Sequence, residues 1–139
     1  AVSQLLDHGR AVLQSQPFSR HLGAELTVFE PGQAELALTV ADHHRQQHGF
    51  VHGGVLAYLA DNALTYAGGS VLGDCLTAEF KINYTRPARG ERLLARARVA
   101  SAGKRLAVCT CEIVVLAGGE ETVVAIAQGS IARIEAGKD

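Results

Sequence analysis

Two features of this chain have the residue types and spacing to do chemistry: His52-Gly53-Gly54 and, nine positions after the histidine, Asp61. Two successive glycines let backbone come very close to a ligand, and here they open a long helical stretch. The first N–H groups of a helix lack internal partners and carry the positive end of its dipole. An oxyanion developing there meets donors already in position, the arrangement that most helps acyl transfer. Taken alone, Gly53-Gly54 is equally a tight turn with close helix packing. Asp61 is the only carboxylate between Asp42 and Asp74, and it falls mid-helix in a stretch of buried-type residues. Burying a carboxylate costs several kcal/mol unless it is paired or hydrogen-bonded. An aspartate there is either structurally satisfied or a general base or nucleophile.

Geometry links the two features. Nine helical positions span about 13 Å at 1.5 Å per residue. His52 and Asp61 of one chain therefore cannot act on one carbonyl carbon. If both belong to one active site, they come from different subunits.

The elements that must position these residues follow from patterning. Val2 to Gln14 has loose helical spacing and is ended by Pro17, so residues 1–22 form an N-terminal helical segment. Ala24–Phe29 and Gln33–Val40 flank Pro31-Gly32 and read as a hairpin. A histidine-rich loop, Ala41 to His52, precedes a helix from Gly53 to about Val71, whose last turn Gly68-Gly69 should weaken. Four strand signals follow at Leu76–Tyr84, Arg92–Ala100, Leu106–Leu116 and Thr122–Ile134. One long alanine-rich helix amid six strands has one natural solution, an α+β fold whose antiparallel sheet curls around the helix. Val55, Leu56, Leu59, Ala60, Ala63, Leu64 and Ala67 supply the apolar surface that such a helix needs. The sheet's open edges favour pairing with another copy.

The totals exclude several classes. A chain of 139 residues fits a single domain, 1–139. The formal net charge of -1 and the scattered basic residues give no track for nucleic acid. No long uncharged apolar run reads as a membrane span, and no signal segment is evident, so a cytoplasmic location is expected. Cys75, Cys109 and Cys111 make an odd count that fits reduced thiols, with Cys109 and Cys111 packing on one strand face. His43, His44, His48 and His52 raise the question of a metal. The loop holds no HExxH arrangement, and the double glycine explains His52 better, so no metal and no cofactor are expected. No Gly-x-Ser-x-Gly elbow is present for a serine hydrolase.

His52-Gly53-Gly54 with Asp61, followed by Lys81-Ile82-Asn83-Tyr84-Thr85-Arg86-Pro87-Ala88, resembles the phenylacetate-degradation type of hotdog thioesterase. The likeness runs over nearly the whole chain after about residue 17. It implies a hotdog fold, an acyl-CoA substrate and a homo-oligomer, a dimer or a dimer of dimers. By resemblance, Asp61 activates water or attacks the thioester, and the Gly53 N–H polarises its carbonyl. His52 holds the loop and assists at the carbonyl or leaving group. Gln46 stands where the family usually has asparagine, keeping the amide and adding a methylene. Thr77 matches a hydroxyl that holds water beside the acid. The acyl group stays open between arylacetyl and medium-chain, with Phe50, Tyr58 and Tyr66 flanking the motif.

Two rival readings remain. A hotdog dehydratase or hydratase pairs an acid with a histidine in a different pattern, and an acyl-CoA-binding module would not need Asp61. For the CoA nucleotide, Arg86 and Arg89 in one turn and Lys104-Arg105 in another are the basic candidates for phosphate. Any one of them is equally an ordinary solvated turn charge.

Overall fold

A computed structural model of the chain describes residues 2–135, and side chains from residue 4. Helix α1 (Val2–Gln14) is followed by α2 (Pro17–Leu22), then strands β1 (Glu25–Glu30) and β2 (Gln33–Thr39). After a single 3-10 turn at Asp42–His44 comes the long helix α3 (Gly53–Leu72). Strands β3 (Cys75–Tyr84), β4 (Arg92–Ala102), β5 (Leu106–Ala117) and β6 (Glu120–Arg133) complete the described chain. The strands form one sheet in the order β1-β2-β4-β5-β6-β3, with every neighbouring pair antiparallel.

The expected wrapping of helix by sheet is what forms. Leu59, Ala60, Ala63, Leu64 and Ala67 on α3 are completely buried, as are Leu36, Leu93, Ala95 and Val124 on the sheet. Small alanines let the helix lie close to the strands, and the larger leucines interdigitate with the sheet's inner face. Cys109 and Cys111 are buried on the same face of β5, where burial pushes their thiols up to about 11 and about 12.

Two local features gain detail. Pro17 follows the end of α1 and occupies the first position of α2, where its missing N–H is no loss. Gly68-Gly69 lies within α3, which runs to Leu72. A Cβ at Gly68 would lie 2.8 Å from Ile131, so glycine is what lets the helix pass so close to β6. Close packing outweighs intrinsic propensity there.

Strand β3 is the last in the sheet, so one of its edges has no partner among the described residues. Leu76 and Tyr84 near its two ends are both more than half exposed. Among the described residues, no helix is long and apolar enough to cross a membrane.

Candidate active site

Asp61 sits on the α3 face that meets β3. Thr77 Oγ1 donates to Asp61 Oδ1 at 2.6 Å. One helical turn beyond, Thr65 Oγ1 lies 2.7 Å from Thr77 Oγ1 and 2.8 Å from the Asp61 carbonyl oxygen. Thr77 thereby fixes one carboxylate oxygen, and the Thr65 hydroxyl proton is shared between Thr77 Oγ1 and the Asp61 main-chain carbonyl. The other carboxylate oxygen, Oδ2, accepts no hydrogen bond from the described residues, among which no buried polar side-chain atom lacks a partner. Oδ2 therefore reaches the surface of this half-buried residue. Next to this set, Cys75 Sγ donates to the Thr65 carbonyl at 3.6 Å. Burial, and then the nearby Asp74, push its thiol up, which disfavours the nucleophilic thiolate.

The start of α3 is organised by two histidines. His52 is the N-cap, and its Nδ1 accepts the Gly54 N–H at 2.8 Å, so the ring proton belongs on Nε2. The His52 N–H donates to the His44 carbonyl at 2.8 Å. His44 is buried, with Nδ1 accepting the Ala41 N–H at 2.9 Å and Nε2–H donating to the Leu22 carbonyl at 2.8 Å. Both of its nitrogens are thus committed to holding the loop. The Gly53 N–H has no acceptor within the described chain, as the first turn of a helix dictates. On its other side, the Gly53 carbonyl accepts the Tyr84 hydroxyl at 3.0 Å.

Gln46 turns its amide oxygen back to the His48 N–H. It still lines a recess of about 390 Å³ together with Gly53, Leu56, Tyr84 and Arg86. Neither Asp61 nor Thr77 lines that recess. Gly53 and Asp61 are separated by about 12 Å of helix at 1.5 Å per residue. One chain therefore carries two half-sites: Gly53 with Gln46 and His52, and Asp61 with Thr77 and Thr65.

The four basic residues do not form one group. Arg86 lines the Gly53 recess, and the Arg89 guanidinium lies 4.7 Å from the centre of the Phe50 ring while donating to the His48 carbonyl at 3.4 Å. Lys104 and Arg105 occupy the β4–β5 turn at the other end of the sheet. There the Arg105 carbonyl accepts the Arg133 N–H, and Arg133 is paired with Cys75. Within one chain this second turn accompanies the Asp61 half-site instead. Among the described residues, no three His, Cys, Asp or Glu side chains gather as a metal site would require.

Thr65 and Tyr84 were missed by sequence reading. The four-residue spacing of Asp61 and Thr65, one helical turn, was the available signal for Thr65. No spacing rule links Tyr84 to Gly53, which only the sheet brings together.

Residues 48–122 match the family model described as the thioesterase superfamily. The acyl-coenzyme A thioesterase PaaI of Escherichia coli K12 is 30% identical over 128 residues, 91% of this chain and 89% of that protein. Its solved structure, from the phenylacetic acid degradation operon, covers 97% of both chains with a TM-score of 0.87 at 28% identity. A thioesterase family protein from Silicibacter pomeroyi superposes with a TM-score of 0.88 at 34% identity, covering 97% of this chain and 100% of that one. The medium/long-chain acyl-CoA thioesterase YigI of E. coli K12 is 30% identical over 129 residues, 76% of this chain and 79% of that protein. The helix wrapped by its sheet, the His-Gly-Gly helix start and these similarities have one reading: the chain belongs to the thioesterase superfamily, as a PaaI-like thioester hydrolase of the hotdog fold.

Proposed function

We propose that the protein hydrolyses acyl-CoA thioesters at a site shared by two copies of the chain. Asp61 comes from one copy and Gly53 from the other. The observation that carries this reading is the Asp61–Thr77 pair, with one carboxylate oxygen fixed and the other open, a helix length away from the unpaired Gly53 N–H. The names of the relatives PaaI and YigI support the acyl-CoA substrate.

The free edge of β3 supports the shared site. Tyr84 at one end of β3 touches Gly53, and Thr77 near the other end touches Asp61. Antiparallel pairing of β3 with the partner's β3 lays each Thr77 end against the other copy's Tyr84 end. Asp61 then faces the partner's Gly53. The same operation brings the partner's Lys104 and Arg105 to the rim that holds Arg86 and Arg89, where the CoA phosphates lie. Exposed Leu76 and Tyr84 become covered.

In this arrangement the thioester carbonyl oxygen accepts the Gly53 N–H at the positive end of α3. Asp61 Oδ2 either takes a proton from the attacking water or itself attacks the carbonyl carbon. With water as nucleophile, collapse of the tetrahedral intermediate expels the CoA thiolate, which is reprotonated, and leaves the free acid. With Asp61 as nucleophile, the same collapse leaves an acyl–Asp61 anhydride, which water then cleaves to free acid and carboxylate. His52 keeps the N-terminal turn in place by accepting the Gly54 N–H. Gln46 closes the recess from the loop side.

Thiol release from a panel of acyl-CoAs, paired with sedimentation, tests the proposal. Turnover by a dimer or larger assembly is expected. A fully active monomer, or no turnover of any acyl-CoA, overturns it.

A further inference from the structure

A cavity of about 370 Å³ lies between α1 and α3. It sits within the range of roughly 300–1,000 Å³ typical of small-molecule pockets. Asn62, Thr65 and Gly69 of α3 with Gly73 just past its end form one wall, and Gly9 and Val12 contribute from α1. These α3 positions recur every three or four residues, so one face of the helix runs along the cavity. Thr65, on its wall, is hydrogen-bonded through its hydroxyl to the Thr77 that holds Asp61. The cavity ends at Gly73 and Asp74, which are exposed.

Its walls look polar in composition but offer little to a polar ligand. Tyr66 Oη donates to the Gly9 carbonyl at 2.8 Å. Ser70 Oγ donates to the Ala67 carbonyl and accepts the Gly32 N–H. Gln16 Oε1 accepts from Ser19 and Asn62, and Thr65 is held in the Asp61 set. His8 and Asp74 also line the cavity, and both are exposed to solvent. Away from these two, the polar groups are engaged by one another and Leu5 and Phe29 add hydrocarbon, which favours an apolar occupant.

We infer that this cavity receives the acyl tail of the substrate and selects medium-length aliphatic chains over short or arylacetyl groups. The inference rests on the assignment of Asp61 to the reacting thioester. From Thr65 to Gly73 the wall runs about 12 Å at 1.5 Å per residue. An extended chain covers 3.3–3.6 Å in three bonds, so about ten bonds fill that length. Counting the carbons between the carbonyl and the cavity mouth, acyl groups of about ten to twelve carbons reach its open end. Longer tails emerge into water at Gly73 and gain little. A phenylacetyl group occupies only the first part.

The two walls supply the controls. A Cβ at Gly69 would lie 3.2 Å from Cys75 Sγ, so any side chain there projects among cavity-lining groups. Val12 faces it from α1 and is 37% exposed, so a larger residue fits there without disturbing the core. The experiment compares kcat/KM for acetyl-, hexanoyl-, decanoyl-, hexadecanoyl- and phenylacetyl-CoA in the wild type, Gly69→Val and Val12→Phe. The wild type should gain up to about fourfold per added methylene as far as decanoyl, then level off. Decanoyl-CoA should exceed phenylacetyl-CoA at least about tenfold. Each variant should lose about tenfold or more on decanoyl-CoA while changing less than about threefold on acetyl-CoA. If Gly69→Val fails to fold, Val12→Phe on the half-open α1 wall decides alone. A flat chain-length profile, phenylacetyl-CoA as the better substrate, or equal losses on every substrate overturns the cavity assignment and leaves the Asp61 reading standing. Absence of all thioester hydrolysis in the wild type overturns both.

Discussion

Thr77 and Asp61, sixteen positions apart, are joined by a 2.6 Å hydrogen bond from the β3 hydroxyl to one oxygen of the α3 carboxylate. The bond orients the carboxylate, and Thr65 in turn orients Thr77. Replacing Thr77 by valine should lower kcat about tenfold to 10²-fold, the worth of one hydrogen bond to a carboxylate. Thr77→Ser should restore most of it, and Thr65→Val should cost less than Thr77→Val. Steady-state kinetics at saturating acyl-CoA give the ranking, and an unchanged kcat in Thr77→Val would remove Thr77 from the site.

Asp61→Asn should lower turnover at least about 10²-fold, since the amide can neither take a proton nor attack the thioester. Gly53→Pro makes the complementary lesion. Position 53 is the first in α3, where proline is best tolerated, and His52 already has the extended φ of -60° and ψ of 135° that a following proline requires. The change deletes the N–H and leaves the helix. Losing one oxyanion donor should cost about 10² to 10³ in kcat, with little change in thermal midpoint. Normal turnover in Gly53→Pro would place the donor elsewhere.

How much of this was legible in the sequence differs from residue to residue. The buried face of α3 could be read because Leu59, Ala63 and Ala67 follow helical spacing, and the His52 to Asp61 separation follows from the same geometry. Gly68 could not, because propensity sees only a weak helix former, and the reason for it is Ile131, far away on β6. The basic turns flank the single strand β4 (Arg92–Ala102), so that strand's length, readable in the sequence, already puts Arg86 and Lys104 at opposite ends of the sheet. What nothing local encodes is the place of β3 beyond β6, which brings Tyr84 to Gly53 and Thr77 to Asp61.

The rim assignment makes its own prediction. Arg86→Ala should raise KM for acyl-CoA and leave turnover of a short acyl-pantetheine substrate nearly unchanged, and the difference should shrink as salt rises. Changing Lys104 and Arg105 together should act on the same parameter, because the two-chain site brings both turns to one nucleotide. If neither set of changes moves KM for acyl-CoA, the phosphates dock elsewhere.

His44 links pH to stability. Burial is the main cause holding its pKa below the ordinary 6.5, with the nearby His43, Arg45 and His21 adding to the effect and the Leu22 carbonyl opposing it. The unfolded chain therefore binds more protons than the folded one in a window that opens near 6.5 and extends downward. The neutral imidazole's contribution is fully present above that window and is lost as pH falls through it. The thermal midpoint should accordingly drop between about pH 7.5 and about pH 5.5, and drop less in His44→Gln. Equal pH slopes in the two proteins would contradict this role.

Mixing two inactive variants tests the shared site most directly. Asp61→Asn and Gly53→Pro chains, each inactive as a homo-oligomer, are co-refolded or co-expressed and assayed for thiol release. In a mixed pair one site carries both lesions and the other carries neither. Random pairing in a two-fold assembly should therefore restore about a quarter of wild-type activity. Recovery near that level, appearing only when chains exchange, is the predicted result. A mixture as inactive as its parents, with hybrid pairs demonstrably formed, would place Asp61 and Gly53 in the same chain's site and contradict the account.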